Sequence, residues 1–420
     1  MATPQLRFKE FKGEWVKVDI QALVDEKIID KPMDGNHGEI HPTSADYVDD
    51  GIPFVMATDV IDGKVHLDKS KKIKKSQADG LRKGFSVEGD ILLTHKATIG
   101  NVAKVPELKT PYVMLTPQVT YYRVLNKEKL IPDFVKSTFE APIFQNELLA
   151  LCTGATRLYI GISEQRKLPF SYPSKEEQTK ITSFLSAVDE KISQLTQKHE
   201  LLRQYKQGMM QKLFSQQIRF KADDGSEFGE WAITLIKNAV SFIKDGTHGT
   251  HQDDPSSNLF LLSAKNLQNG KIVIDEKDRK INQKEFDSIY KNYKLKDGDI
   301  LLSVVGTIGR VAIFKDYYES YAFQRSVAFM RFKKALPEFI YQLFLAKDFQ
   351  NELLVRQVVS AQPGIYLGDL SKIEIKLPCL EEQTKIANFL SSIDQKIEVV
   401  AQQIEQAKQW KKGLLQQMFV

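Results

Sequence analysis

The chain has 420 residues, 42% hydrophobic and 27% charged, with a formal net charge of +5, which predicts two or three domains with ample core and permits an acidic partner without requiring one. Two cysteines exclude a disulfide framework and a thiolate metal cluster. The N-terminus opens without an apolar signal core, and the most apolar run, 300–314, is broken by Gly306, Gly309 and Arg310 and is too short to span a bilayer, so a soluble, cytoplasmic protein is expected.

In chain order, Leu6-Arg7-Phe8 and Phe11-Lys12-Gly13-Glu14-Trp15 open a first half, and Ile218-Arg219-Phe220 with Phe228-Gly229-Glu230-Trp231 open a second. Asp34-Gly35-Asn36-His37-Gly38 is answered by Asp245-Gly246-Thr247-His248-Gly249. Gly89-Asp90-Ile91-Leu92-Leu93 is answered by Gly298-Asp299-Ile300-Leu301-Leu302, and Thr98-Ile99-Gly100 by Thr307-Ile308-Gly309. Phe144-Gln-Asn-Glu-Leu-Leu149 returns as Phe349-Gln-Asn-Glu-Leu-Leu354. Short apolar runs at 52–60, 119–125, 259–262 and 327–332 predict strands. The Gly-Asp pairs predict turns that launch a strand, and Gly100 and Gly309 a bend in the return strand. Residues 132–149 and 337–354 predict helix, interrupted in the first half by Pro142. Each half is therefore α+β, with a strand order that periodicity does not define.

The strongest signal is helical. Glu-Glu-Gln-Thr-Lys-Ile at Glu176 returns at Glu381, and the copies stay in step to Phe214 and Phe419 with about half their residues identical. Ile181, Leu185, Val188, Ile192, Leu195 and Leu202 alternate four and three apart, as do Ile386, Leu390, Ile393, Ile397, Val400 and Ile404. His199, Lys206, Met209 and Leu213 continue the first seam, and Ala407, Lys411, Leu414 and Met418 the second. No proline interrupts them, so each copy predicts one helix about 60 Å long. Two matching seams in one chain predict a coiled coil. A compact domain between them has its ends close together, so antiparallel packing is expected. The alternative is that each seam faces its own domain as an ordinary amphipathic helix. The domains read as 1–172, a helix at 173–215, a homologous domain at 216–377 and a helix at 378–420.

Candidate chemistry is sparse. His37 and His41 have helical metal-ligand spacing, but Gly38 intervenes and the second half spaces His248 and His251 differently, which favours turns over a shared metal site. Glu374, Lys376 and Asp369 faintly suggest a nuclease cluster, yet Pro169 and Ser171 stand at the matching first-half positions. Gly-x-Gly phosphate loops and the Asn-Pro-Pro or Asp-Pro-Pro of amino-methyltransferases are missing from the sequence. The reading therefore assigns no catalytic residue and no metal ligand.

Binding candidates are better. Lys71, Lys72, Lys74 and Lys75 suit phosphate contact, with a solvated face as the bland reading. His95 and Lys96 fall at a hairpin tip whose counterpart is Val304-Val305. Lys265, Arg279, Lys280, Arg310 and Arg325 are second-half candidates, since arginine is the commonest bidentate partner of guanine. His37 and His248 complete the list, with loop stabilisation as the competing role.

The doubled domain–helix plan, the Leu-Arg-Phe…Gly-Glu-Trp openings, the Gly-Asp-Ile-Leu-Leu…Thr-Ile-Gly segments and the Glu-Glu-Gln-x-x-Ile helices together resemble the specificity subunit of type I restriction–modification systems, over the whole chain. The resemblance implies two target-recognition domains, each reading half of a split, asymmetric site in double-stranded DNA. It implies that the helices set the spacer and dock two methyltransferase subunits, which use S-adenosylmethionine on adenine N6. Restriction subunits that translocate and cleave with ATP and Mg would join them. Such a subunit carries no cofactor and no catalytic residue, and its reading residues lie in variable loops that transfer no position here. A single-chain methyltransferase or nuclease with degenerate motifs, and a coiled-coil scaffold unconnected with DNA, are the competing readings.

Overall fold

Two helices, Lys175–Phe214 and Leu380–Met418, dominate the computed structural model, which describes residues 3–37, 41–154, 158–291, 294–358 and 363–420. Glu176 and Glu177, and Glu381 and Glu382, occupy their first turns, where carboxylates meet the positive end of the helix dipole. The chain forms two compact units. Unit 1 is Met1–Thr196 with Gln402–Val420, and unit 2 is Gln197–Ala401. Both divisions fall inside the long helices, so each unit contains the start of one helix and the end of the other. Among the described residues, no helix is long and apolar enough to cross a membrane.

In unit 1, Ile181, Leu185 and Val188 share a core with Leu414, Leu415, Met418 and Phe419. In unit 2, Met210, Leu213 and Phe214 share one with Ile386, Leu390 and Ile393. Start lies against end in both, so the pairing is antiparallel. Leu195 and Val400 are buried, and Ile192, Leu202, Ile397 and Ile404 are half-buried, as seam positions require. One seam position in each helix is a lysine. Lys206 Nζ lies 2.6 and 2.8 Å from the Asp394 carboxylate oxygens, and Lys411 Nζ lies 2.8 Å from Asp189 and 2.9 Å from Glu140. Lys206 and Lys411 are counterparts, as are Asp394 and Asp189. The lysines are largely buried, and an unpaired buried charge is costly, so these pairs penalise any other register.

The globular halves repeat one plan. In unit 1 an antiparallel sheet runs Thr98–Lys104, Ile91–Lys96, Val119–Tyr122, Met33–Asp34. Its counterpart in unit 2 contains Val240–Asp245, Val327–Phe332, Ile300–Ser303 and Val311–Ile313. A second sheet in unit 1 runs Tyr47–Val48, Lys71–Ile73, Ile52–Val55, Val113–Leu115, Phe85–Ser86, and in unit 2 Lys280–Ile281, Leu259–Leu262, Tyr321–Phe323. Each second sheet holds one parallel pair, Ile52–Val55 with Val113–Leu115 and Leu259–Leu262 with Tyr321–Phe323.

The opening motifs have a structural reason. Arg7 forks onto Glu177 at 2.7 Å to each carboxylate oxygen and donates to the Gly13 carbonyl, while Arg219 does the same with Glu382 and Gly229. Trp15 packs on Phe134 and Phe419, and Trp231 on Phe214 and Phe339. The Leu-Arg-Phe and Gly-Glu-Trp segments thus clamp each half onto its helices.

Several local expectations are corrected. The run at 52–60 is not one strand: Ile52–Val55 is followed by a 3-10 turn at Ala57–Asp59, closed by the Asp59 carboxylate on the Met56 N–H, and Val60 opens a separate strand, Val60–Ile61. The strand at 119 ends at Tyr122. The helix break does not depend on Pro142. Ala141 (φ −66°, ψ 138°) and Ala346 (φ −65°, ψ 144°) break both helices alike, although Lys347 replaces the proline. Gln145 Nε2 donates to the Phe139 and Gly100 carbonyls, and Gln350 Nε2 to those of Phe344 and Gly309. A stacked ring pair closes each corner, Phe139 on Phe144 and Phe344 on Phe349.

Candidate nucleic-acid interface

In unit 1 the hairpin from Ile91–Lys96 to Thr98–Lys104 turns at Ala97, whose φ of 68° lies in the left-handed region. Lys96 is exposed at this tip. His95 is not, and its proposed role in reading bases is withdrawn. It is 5% exposed, with Nε2 3.0 Å from the Pro117 carbonyl and Nδ1 2.7 Å from Gln165 Nε2. Tyr122 donates to Gln165 Oε1, which turns the amide N–H toward Nδ1, and the Ile160 carbonyl lies 3.1 Å from the same ring nitrogen. Burial pushes the His95 pKa down, so the ring stays neutral. A place beside a hairpin tip exposes residue 95 only if its strand has a solvated face, and every residue from Ile91 to His95 is buried.

The lysine run does not form one flat face. Lys71 and Lys72 lie in a strand, Lys74 precedes the helix Lys75–Asp79, and Lys75 opens it. Lys71, Lys74 and Lys75 are exposed, whereas Lys72 is half-buried and donates to the Asp49 carbonyl. His37 Nε2 lies 2.7 Å from Asp34 Oδ2, and Lys83 pairs with the other carboxylate oxygen. Burial pushes the Asp34 carboxyl up, but the hydrogen bonds from Lys83 and His37 outweigh it and hold the group below the usual range. Asn36, also buried, accepts from the Arg82 N–H and donates to the Lys83 carbonyl. This network was hidden in the sequence because Lys83 is remote from the turn; the only signal was the repeated Asp three residues before His. Gly38 lies outside the described residues. His41 packs on Phe54 rather than beside His37, and among the described residues no three His, Cys, Asp or Glu are grouped to hold a metal.

In unit 2 most of the candidates come together. The Arg325 N–H donates to the Thr247 carbonyl, next to His248, and His248 Nε2 lies 2.7 Å from Asp245. The Ala264 N–H donates to Ser326 Oγ, and Arg310 Nη1 reaches the Ala264 and Lys265 carbonyls at 3.5 and 3.2 Å. Lys265 Nζ is 2.7 Å from the buried carboxylate of Asp278. Arg279 is held by Asp253 and the His251 carbonyl, and the Lys280 ammonium sits 5.5 Å above the Phe260 ring. Arg310 and Arg325 are exposed.

Backbone contacts align the units position by position. The Asn101 N–H meets Thr94 Oγ1 as the Arg310 N–H meets Ser303 Oγ. The His95 N–H meets the Gln118 carbonyl as the Val304 N–H meets that of Ser326. The 3-10 turns at Ala57–Asp59 and Ala264–Asn266 are closed alike. Thr58 therefore corresponds to Lys265, Asn101 to Arg310, Pro117 to Arg325, His95 to Val304 and Ala97 to Gly306. Side-chain chemistry differs at equivalent points of one scaffold, and Lys265, Arg310 and Arg325 are its exposed members in unit 2.

The model of the type I restriction modification DNA specificity domain matches residues 34–204 and 257–409. The type I restriction enzyme MjaVIII specificity subunit of Methanocaldococcus jannaschii is 30% identical over 274 residues, 63% of either chain. The putative MjaX specificity subunit of the same organism is 26% identical over 379 residues, 87% of this chain and 85% of that one. The crystal structure of a type I S subunit from M. genitalium superposes with a TM-score of 0.55 at 16% identity, covering 100% of this chain and 99% of that one. A chain solved in work on complex assembly and conformational transition of the type I R-M system superposes at 0.58 and 16% identity, over 96% of both. With both halves matched by one domain model, the chain belongs to the type I restriction modification DNA specificity family, the non-catalytic specificity subunits of these systems.

Proposed function

We propose that this chain is the DNA reader of a type I restriction–modification complex. Each globular half reads one half of a bipartite, asymmetric site in double-stranded DNA. The paired helices fix the number of unread base pairs and dock two methyltransferase subunits. The observation that carries this reading is one scaffold built twice with different side chains at equivalent positions, Thr58, Asn101 and Pro117 in unit 1 against the exposed Lys265, Arg310 and Arg325 in unit 2. S-adenosylmethionine belongs to the methyltransferase partners, and ATP and Mg to the restriction subunits. The residues of this chain bind and position. Lys71, Lys74, Lys75 and Lys96 supply phosphate contacts from unit 1, and each that engages DNA steepens the salt dependence of binding by about 0.9 in log–log slope.

The test is an exchange of residues 16–172 for the matching segment of another family member, followed by mapping of N6-methyladenine in cells holding the partner subunits. One half-site should change and the other persist; a change in both, or in neither, sinks the modular reading. Methyl transfer by the pure chain without a partner would identify it instead as an enzyme. Failure to bind DNA in complex with its methyltransferase subunit would leave only a scaffold. One heptad inserted into both helices lengthens them by about 10 Å, roughly three base pairs, and should abolish methylation at the original spacing.

A further inference from the structure

Arg325 combines a fixed backbone with an exposed guanidinium. The Gln324 N–H donates to Leu262, the Arg325 N–H to Thr247 and the Val327 N–H to Gln324, so the main chain beneath the side chain is held from both sides. Gly246 packs so closely that a Cβ there would stand 2.1 Å from the Phe323 carbonyl oxygen. The guanidinium of Arg325 is exposed and enters no ion pair among the described residues. Nearby, Lys265 is engaged by Asp278 and Arg279 by Asp253. Arg310 uses Nη1 on two carbonyls, which orients the rest of its fork. What this edge of unit 2 offers a ligand therefore includes donors in planar forks.

Resting on the functional reading above, we propose that Arg325, flanked by Arg310, reads guanine in the half-site of unit 2. A planar fork of donors matches two coplanar acceptors. In the major groove only guanine presents that pair, N7 and O6, because adenine sets a donor beside N7 and cytosine presents a donor. Unit 1 has no guanidinium fork at the equivalent point. Pro117 has no donor, and Asn101 gives its Nδ2 to the Val60 carbonyl at 2.8 Å. The two half-sites then differ in kind, with donor readout in one and not in the other.

The test uses the full chain assembled with its partner methyltransferase subunit and duplexes carrying the mapped site. Each guanine in turn is replaced by 7-deazaguanine, which removes N7 and leaves the charge of the backbone unchanged. At one guanine of one half-site, wild-type methylation should fall about tenfold to a hundredfold. Arg325→Ala should be insensitive to that replacement, and Arg325→Lys should bind DNA at low salt yet lose discrimination at that base. Sensitivity retained in Arg325→Ala, or no guanine whose N7 matters, overturns the assignment. Uniform weakening across all sequences would make Arg325 a phosphate contact and overturn it equally. If no bipartite site is methylated at all, the functional reading falls and takes this inference with it; a bipartite site indifferent to Arg325 removes the inference alone.

Discussion

Arg123 forks onto Asp90 in unit 1 as Arg331 forks onto Asp299 in unit 2, each also donating to a carbonyl, of Phe85 and Lys294 respectively. By contrast, Pro117 stands where unit 2 has Arg325, and Asn101 where it has Arg310. The contacts that are identical between the units are buried polar ones, whereas Lys265, Arg310 and Arg325 stand exposed in unit 2 where unit 1 has an exposed Thr58 and half-buried Asn101 and Pro117. Losing one partner of a buried pair leaves a desolvated charge, whereas an exposed side chain changes at almost no cost to the fold. The difference also reaches inside. Gly270 in unit 2 lies beneath the Tyr341 ring, while its counterpart Gly63 faces Lys136 and borders a cavity of about 390 Å³ that also meets Lys64, Lys104 and Asp133. Divergence at the rim gives one scaffold two different faces without a second solution to folding.

That comparison breaks most directly at its buried pairs. Asp90→Ala and Asp299→Ala should each cost about 3–5 kcal/mol, confined to their own unit, as read by hydrogen exchange resolved by peptide. A cost under about 1 kcal/mol in either one would show that the scaffolds are not equivalent. Gln145→Ala and Gln350→Ala should follow at about 1–3 kcal/mol each, because two carbonyls at each helix break lose their donor. Equal losses would confirm that this amide, and not Pro142, holds the corner.

Acid should separate the units. His95 stays neutral in folded unit 1 because burial lowers its pKa, while the unfolded chain protonates near the ordinary value of 6.5. Its contribution is present above that pH and lost as pH falls below it. Burial pushes the Glu140 carboxyl up, but Lys136 and Lys411 outweigh it and hold it below 4.5, so its contribution is present above 4.5 and lost as pH falls through the lowered value. Unit 2 has Val304 and Leu345 in these places. Exchange protection should therefore drop more in unit 1 than in unit 2 between pH 7.5 and 5.5, and again below pH 4.5; parallel losses would discount both groups. The smallest expected effect is at the hairpin tip. Ala97→Gly should stabilise unit 1 by about 1 kcal/mol by removing a left-handed Cβ, and Gly306→Ala should destabilise unit 2 by a similar amount, both by urea denaturation.

The amino-acid order alone determined the two long helices, their antiparallel pairing and the doubled plan, because heptad periodicity, capping and repetition are local or counted along the chain. It also held a signal left unread: Asp62-Gly63 and Asn269-Gly270 are two-residue hairpin turns, with φ of 51° and 73°, and 48° and 79°. Other features became fixed only when distant segments packed. The strand at His95 is covered on both faces, so a residue expected at an exposed tip became a neutral core histidine held by Gln165. The helix broke at Ala346 without a proline because Gln350 and two stacked rings hold the corner. The parallel strand pairs join segments about sixty residues apart, beyond any local pattern. Arg325 acquired a defined direction because Thr247, Leu262 and Gly246 clamp the chain beneath it. Periodicity specifies which residues can share a face; which face meets water depends on what the rest of the chain lays against it.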